Sequence, residues 1–295
     1  MNEDGSASGF DSKYWAAAEN RAVHCGLCPR RCHISENAAG FCGARENRGG
    51  RLIASDYGRV SSVALDPIEK KPLYMFHPGK KILSIGGFGC NFRCPFCQNS
   101  DISIEYGNGW RLAKTLSPDD VLDFAVSSVP DGNIGAAYTY NEPLIGYEFL
   151  YDCAGLIRSA GLNNIIVTNG YINPEPLKEL LPLIDAMNID LKGFTEGFYK
   201  NIGGRLEAVL ETIALSHGKC HVEITTLVIP GENEYDIEEL AKWLSSIDPG
   251  IPLHLSRFFP RYKYSGRIPT PRETMINLRE AAGKHLRNVF IGNMG

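Results

Sequence analysis

The sequence predicts an α/β fold built on a parallel sheet, with a small cysteine-rich module ahead of it. Two observations point there. From about Lys80, short β-branched runs alternate with longer helical patterns, which is the rhythm of βαβ units. Polar residues also recur just past the ends of those runs, where parallel α/β sheets place their ligands. About six such units fall short of the eight of a complete barrel, which leaves an incomplete barrel or an open doubly wound sheet.

The elements follow in order. Residues 1–20 are expected to form a mobile or loosely docked start. Residues 21–60 make a module rich in Cys, Arg and Gly, with little periodicity. Its glycines 40, 43, 49 and 50 suggest loops. The core is expected over 75–293. Strands are predicted at 81–85, 136–140, 164–168, 186–191, 222–229, 252–258 and 288–292. Helices are predicted at 118–128, 145–160, 175–183, 206–217, 235–246 and 272–286. Ser117 offers an N-cap, Pro118 a first helical residue, and Asp119 and Asp120 suit the positive helix end. Gly161 and Gly218 are natural helix stops.

The chain has 295 residues, enough for one large domain or two smaller ones. A hydrophobic share of 43% allows a substantial core. The formal charge of −4 gives no global pull toward nucleic acid or an anionic membrane. No apolar run approaches the roughly 18 residues of a membrane span. The start, 1–11, is polar and acidic and lacks a signal peptide's apolar core, so the expected compartment is the cytoplasm.

Nine cysteines are clustered rather than spread as a disulfide framework would be. Cys90, Cys94 and Cys97 follow C-x3-C-x2-C spacing directly after a predicted strand. Three thiolates so close can hold three irons of a cubane and leave the fourth iron open to a small molecule. A chelating amino-carboxylate suits that opening. Glu142, backbone oxygens near Asn141, and Asp190 could receive its ammonium group; Lys192, or a cation held by Asp190, could meet its carboxylate. Gln98 and Asn99 lie near enough in sequence to tune the cluster, and Phe92 and Phe96 to shield it. Thr168, His254 and Arg257 add to the polar rim.

Cys25, Cys28, Cys32 and Cys42 form a second group, spaced C-x2-C-x3-C-x9-C. Four thiolates close either a tetrahedral zinc site or a second [4Fe-4S] cluster. His24 and His33 flank the group and read as solvated loop residues. Arg30, Arg31, Arg45, Arg48 and Arg51 read as a solvated basic face.

The run from Cys90 to Asn99 resembles the signature of the radical S-adenosylmethionine (SAM) superfamily, with Phe96 in the usual aromatic place before the last cysteine. Within it the chain is most similar to pyruvate formate-lyase activating enzymes and to the AmmeMemoRadiSam system radical SAM enzymes. Residues 138–143, 168–170, 188–193, 253–258 and the first cysteine group carry the likeness. The resemblance implies a partial (β/α)6 barrel. It implies an oxidoreductase whose [4Fe-4S] cluster, on Cys90, Cys94 and Cys97, reductively cleaves SAM to a radical that abstracts hydrogen from a substrate. It implies SAM contacts from Asn141, Glu142, Thr168, Asp190, Lys192 and His254, a reductant such as flavodoxin or ferredoxin, and a protein substrate carrying a glycine to be activated. Two further readings stand beside that one: radical modification of a small metabolite or nucleotide, and an iron–sulfur electron carrier without catalysis.

Overall fold

The computed structural model describes residues 10–107, 110 and 113–295. Its centre is one eight-stranded sheet. The strands are β7 (Ser62–Pro67), β8 (Lys81–Gly86), β9 (Asn133–Thr139), β10 (Asn163–Thr168), β11 (Ala186–Asp190), β12 (His221–Val228), β13 (Leu253–Arg257) and β14 (Val289–Gly292), adjacent in that order. All neighbours from β8 to β14 pair in parallel, while β7 runs antiparallel to β8. Strands β7 and β14 lie at the two ends of the order and do not pair. This is the incomplete barrel, not a closed one.

Helices return the chain between the parallel strands. They are α1 (Ser100–Ser103), α2 (Pro118–Ser127), α3 (Tyr147–Ser159), α4 (Pro174–Leu180), α5 (Glu196–Ile202), α6 (Leu206–Ser216), α7 (Ile237–Ile247) and α8 (Arg272–Gly283). The capping box at Ser117 is present: its hydroxyl accepts the Asp120 N–H, and the Asp120 carboxylate accepts the Ser117 N–H. Strands β9 to β13 are buried on both faces, so they read as continuous apolar runs rather than alternating ones. The core joins them to α3, α4, α6 and α7 through residues such as Leu150, Ile157, Leu177, Val209 and Leu240.

The N-terminal segment is more ordered than its composition suggests. Strands β1 (Phe10–Asp11), β5 (Arg45–Arg48) and β6 (Arg51–Ala54) form one small antiparallel sheet. Strands β2 (Trp15–Ala17), β3 (Val23–Cys25) and β4 (His33–Ile34) form another. Part of the expected mobile or loosely docked start, 1–9, lies outside the described residues; of the rest, Phe10–Asp11 and Trp15–Ala17 pair into these sheets. Strands of two to four residues are too short to show a period of two, so loops were the natural expectation.

The arginines of this module are only in part a solvated face: Arg31 and Arg51 are exposed, and the others are drawn into the fold. Arg45 is buried and donates twice to the Glu148 carboxylate of α3, at 2.9 and 2.7 Å. Arg30 donates to the backbone carbonyls of Asn91 and Gly203. Arg48 pairs with Glu46 and Arg51 with Asp11. No helix among the described residues is long and apolar enough to cross a membrane.

Candidate functional site

The loop after β8 carries the first three thiols of interest, and Gly89 sets its path. Gly89 has φ +83°, and a Cβ there would stand 2.3 Å from the Cys42 carbonyl oxygen. Only glycine fits such a close approach in that conformation. The Asn141 side chain then ties the loop down. It accepts the Gly87 N–H at 2.9 Å and donates to the Phe88 carbonyl at 3.0 Å.

Cys90, Cys94 and Cys97 line one cavity of about 310 Å³ at the carboxyl ends of the strands. Asn141, Glu142, Thr168, Asn169, Asp190, Lys192, Thr225 and Ser256 line it too. Burial pushes all three thiols up, Cys94 to about 12. Thiolates in such a place need a cationic group to hold them. Backbone N–H groups already help: Phe92 donates to Cys90 at 3.3 Å, and Asn99 donates to Cys97. The donor set therefore fits a three-cysteine iron–sulfur cluster. Phe92 and Phe96 are buried around it; Phe92 packs on Tyr171 at 4.9 Å and Phe96 near Phe198 at 6.0 Å.

Glu142 follows Tyr140, a non-glycine residue at φ +72°. That left-handed turn is pinned from outside: the Tyr140 hydroxyl donates to Asp66, and Asp66 also takes Lys71 at 2.9 Å. Glu142 is itself buried. One oxygen accepts the Thr168 hydroxyl at 2.6 Å and the Leu144 N–H at 3.0 Å; the other accepts the Asn169 N–H at 2.7 Å. Burial outweighs these donors and raises its carboxyl to about 7. Across the cavity Lys192 donates to Asp190 at 2.7 Å. Burial would lower the Lys192 ammonium, but Asp190 and the thiols of Cys94 and Cys90 outweigh it and hold it above its ordinary value.

Not every expected residue reaches the cavity. His254 does not line it. Its Nε2 stands 2.6 Å from Glu223, and its ring packs on Tyr74 at 4.7 Å and Phe290 at 5.1 Å. Glu223 also accepts His221 and the N–H groups of Tyr74 and Met75, so His254 helps fasten the 74–75 segment to β12. Asn141 lines the cavity, but its amide is committed to the cysteine loop. Thr168 lines it with its hydroxyl committed to Glu142. Asn99 spends its side chain on the Tyr140 carbonyl at 2.8 Å.

Other residues are brought in that patterning alone does not single out. Asn169 places its Nδ2 3.6 Å from the Cys90 sulfur and 2.8 Å from Asn91 Oδ1. Thr225 and Ser256 line the wall from β12 and β13. Their signal in the sequence is weak, since a hydroxyl in a buried strand reads as an ordinary core residue. The first cysteine group stands beside this site. Cys25, Cys28, Cys32 and Cys42 line a small enclosed pocket with Asn91, Arg45 and Ile145.

Fold and cavity together define a partial-barrel α/β protein with a thiol-bearing loop at the mouth of the barrel. Residues 84–244 match the model of the Radical SAM superfamily, and the chain belongs to that superfamily. An uncharacterized protein of Methanocaldococcus jannaschii is 40% identical over 291 residues, covering 96% of this chain and 85% of that one. A second protein of that organism, provisionally named a glycyl-radical enzyme activating enzyme, is 28% identical over 229 residues, covering 73% of this chain and 90% of that one. Among solved structures, Streptococcus suis SuiB bound to S-adenosylmethionine superposes with a TM-score of 0.53 at 14% identity, over 70% of this chain and 48% of that one. Membership brings a [4Fe-4S] cluster, SAM and the need for a reductant. Members are in general oxidoreductase-type catalysts.

Proposed function

We propose that the chain is a radical SAM enzyme that abstracts a hydrogen atom from a polypeptide substrate, in the manner of a glycyl-radical activating enzyme. Cys90, Cys94 and Cys97 would hold the cluster, and Glu142, Asp190 and Lys192 the amino-acid end of SAM. When bound, these groups supply one-electron cleavage of a sulfonium bond that ends in hydrogen abstraction.

The protein's own residues do the rest. Glu142 lines the cavity, and its three donors leave lone pairs on its two oxygens that would accept from an ammonium group. Lys192, charged and half-screened by Asp190, suits a carboxylate. Asn169 donates toward Cys90 and steadies its charge. Phe92 and Phe96 keep water from the thiols.

The observation that carries this reading is the sharing of one cavity by Cys90, Cys94, Cys97, Glu142 and Lys192. The polypeptide side rests on the likeness to the protein named as an activating enzyme, which extends over most of that protein's length. The test is anaerobic. Reduced, reconstituted protein should release methionine and 5′-deoxyadenosine from SAM, and Cys94→Ala should not. Equal rates in the two would remove the cluster assignment. Deuterium at glycine Cα of a candidate partner should appear in 5′-deoxyadenosine; label arriving only from small metabolites would overturn the substrate class.

A further inference from the structure

The four N-terminal cysteines are the largest group of chemistry-bearing side chains that the cavity does not use. All four line one pocket. Backbone N–H groups two residues on donate to three of them: Leu27 to Cys25, Arg30 to Cys28 and Ala44 to Cys42. Phe92 to Cys90 and Asn99 to Cys97 repeat that i+2 pattern in the other cysteine group. The pocket's remaining walls come from Leu27, Ile34, Gly40 and Ile145, with Asn91, Arg30 and Arg45 as polar members; Arg30 donates to the Asn91 and Gly203 carbonyls and Arg45 to Glu148.

Four thiolates allow two occupants. Tetrahedral zinc, with Zn–S about 2.3 Å, brings its thiolates to within about 4 Å of one another. In a cubane each thiolate binds a different iron, and the sulfurs stay farther apart. A closed zinc site carries no electron, whereas a cluster can pass one to a neighbouring cluster, so the contact between the two cysteine groups is what favours the cubane.

The two groups also touch. The Asn91 side chain hydrogen-bonds Cys28 and donates to the Tyr171 carbonyl at 2.8 Å. Asn169 donates to Asn91 Oδ1 at 2.8 Å and stands 3.6 Å from the Cys90 sulfur. A continuous hydrogen-bonded route thus runs from Cys28 through Asn91 and Asn169 to Cys90. Cys28 and Cys32 are half-buried, so the first group can meet an electron donor at those two thiols.

We propose that Cys25, Cys28, Cys32 and Cys42 hold a second [4Fe-4S] cluster, and that Asn91 and Asn169 couple it to the cluster on Cys90. A flavodoxin- or ferredoxin-type donor gives one electron to the outer cluster and is itself oxidised by one. Passing that electron inward reoxidises the outer cluster and reduces the inner one. The coupling rests on the radical SAM reading of Cys90, Cys94 and Cys97; the identity of the outer metal group does not.

Metal analysis with electron paramagnetic resonance tests both halves. Parent protein should carry about eight irons and no zinc. Cys28→Ala/Cys32→Ala should keep about four irons, with a reduced-state signal that SAM still shifts. Cys90→Ala/Cys94→Ala/Cys97→Ala should keep about four with a signal that SAM leaves unmoved. One zinc per chain, or four irons in the parent that survive loss of Cys28 and Cys32, would overturn the second cluster. Failure of SAM to shift any signal would instead sink the radical SAM site and leave the iron count standing. Asn91→Leu should keep both clusters yet slow flavodoxin-driven reduction of the inner one several-fold in freeze-quenched samples. An unchanged rate there would refute the coupling.

Discussion

Replacing Glu142 with Gln separates its two duties. The carboxylate accepts from Leu144 and Thr168 on one oxygen and from Asn169 on the other. A glutamine has one acceptor oxygen and one NH2. With the oxygen toward Leu144, the NH2 faces the Asn169 N–H. With the oxygen toward Asn169, the NH2 faces the Leu144 N–H. Either way one buried backbone donor meets another donor, at a cost of about 1–3 kcal/mol in stability. The second loss is the charge offered to an ammonium group. A hydrogen bond to a charged partner contributes about 1.5–3 kcal/mol, so SAM affinity should fall about 10- to 100-fold. The parent should also bind more tightly as pH rises through about 7, because its buried carboxyl ionises there and only the ionised form attracts an ammonium. The variant should lose that slope. Calorimetric titration of SAM into anaerobic, cluster-loaded protein from pH 6 to 8 measures both, with iron content as the control. Equal affinities and parallel pH profiles in the two proteins would refute the role given to Glu142.

Three further outcomes follow from the packing. Arg45→Met leaves Glu148 buried without its partner, which should cost about 3–5 kcal/mol in denaturant unfolding, with part recovered in Arg45→Met/Glu148→Leu; a single-variant cost below about 1 kcal/mol would contradict the clamp. Glu223 should contribute to acid stability. Burial raises its carboxyl, but His221, His254 and the Met75 and Tyr74 N–H groups outweigh that and hold it at about 2, below its ordinary 4.5. The folded state therefore binds fewer protons than the unfolded one between those values. Stability of up to about 3 kcal/mol, fully present above pH 4.5, is lost as pH falls toward 2, and Glu223→Gln should flatten that limb of the pH–stability curve. Gly89→Ala should lower the melting temperature and loosen cluster retention, since it adds about 1–2 kcal/mol of left-handed strain to a contact with Cys42 that has no room for a methyl group.

The sheet was legible because seven parallel strands, each joined by a helix, leave a repeated signal that a single irregular segment cannot mask. Its antiparallel edge β7 was not, because Ser62–Pro67 contains a charge and a proline and is half-exposed, which reads as loop. The helix α5 escaped for a related reason: at seven residues, with Gly197 inside, it spans two turns. In the cavity lining, Cys90, Glu142, Asp190 and Lys192 were legible because each lies at or just past the end of a strand, where a side chain reaches the mouth. His254 is the second residue of β13 and its ring turns to Glu223 instead. Its position within the strand was the available warning. Ser256, two residues on, does reach the cavity. The arginines of the N-terminal module misled because composition shows charge but not partners. Arg45 and Glu148 are 103 residues apart in sequence, and only the fold brings them together.

Neighbouring strands of the large sheet are neighbours in the chain all the way from β7 to β14, and the first and last never pair. Each new strand can therefore add to the one made just before it once its helical crossover is complete. The N-terminal module pairs locally within its two small sheets, but its anchors on the barrel are distant in the chain. Lys13 and Tyr14 reach Glu179, Arg45 reaches Glu148, and Arg30 reaches Gly203. Those anchors do not exist until most of the barrel has been synthesised. The cysteine-rich segment leaves the ribosome ahead of the residues that anchor it, and in that interval its four thiols stand open to whatever loads them.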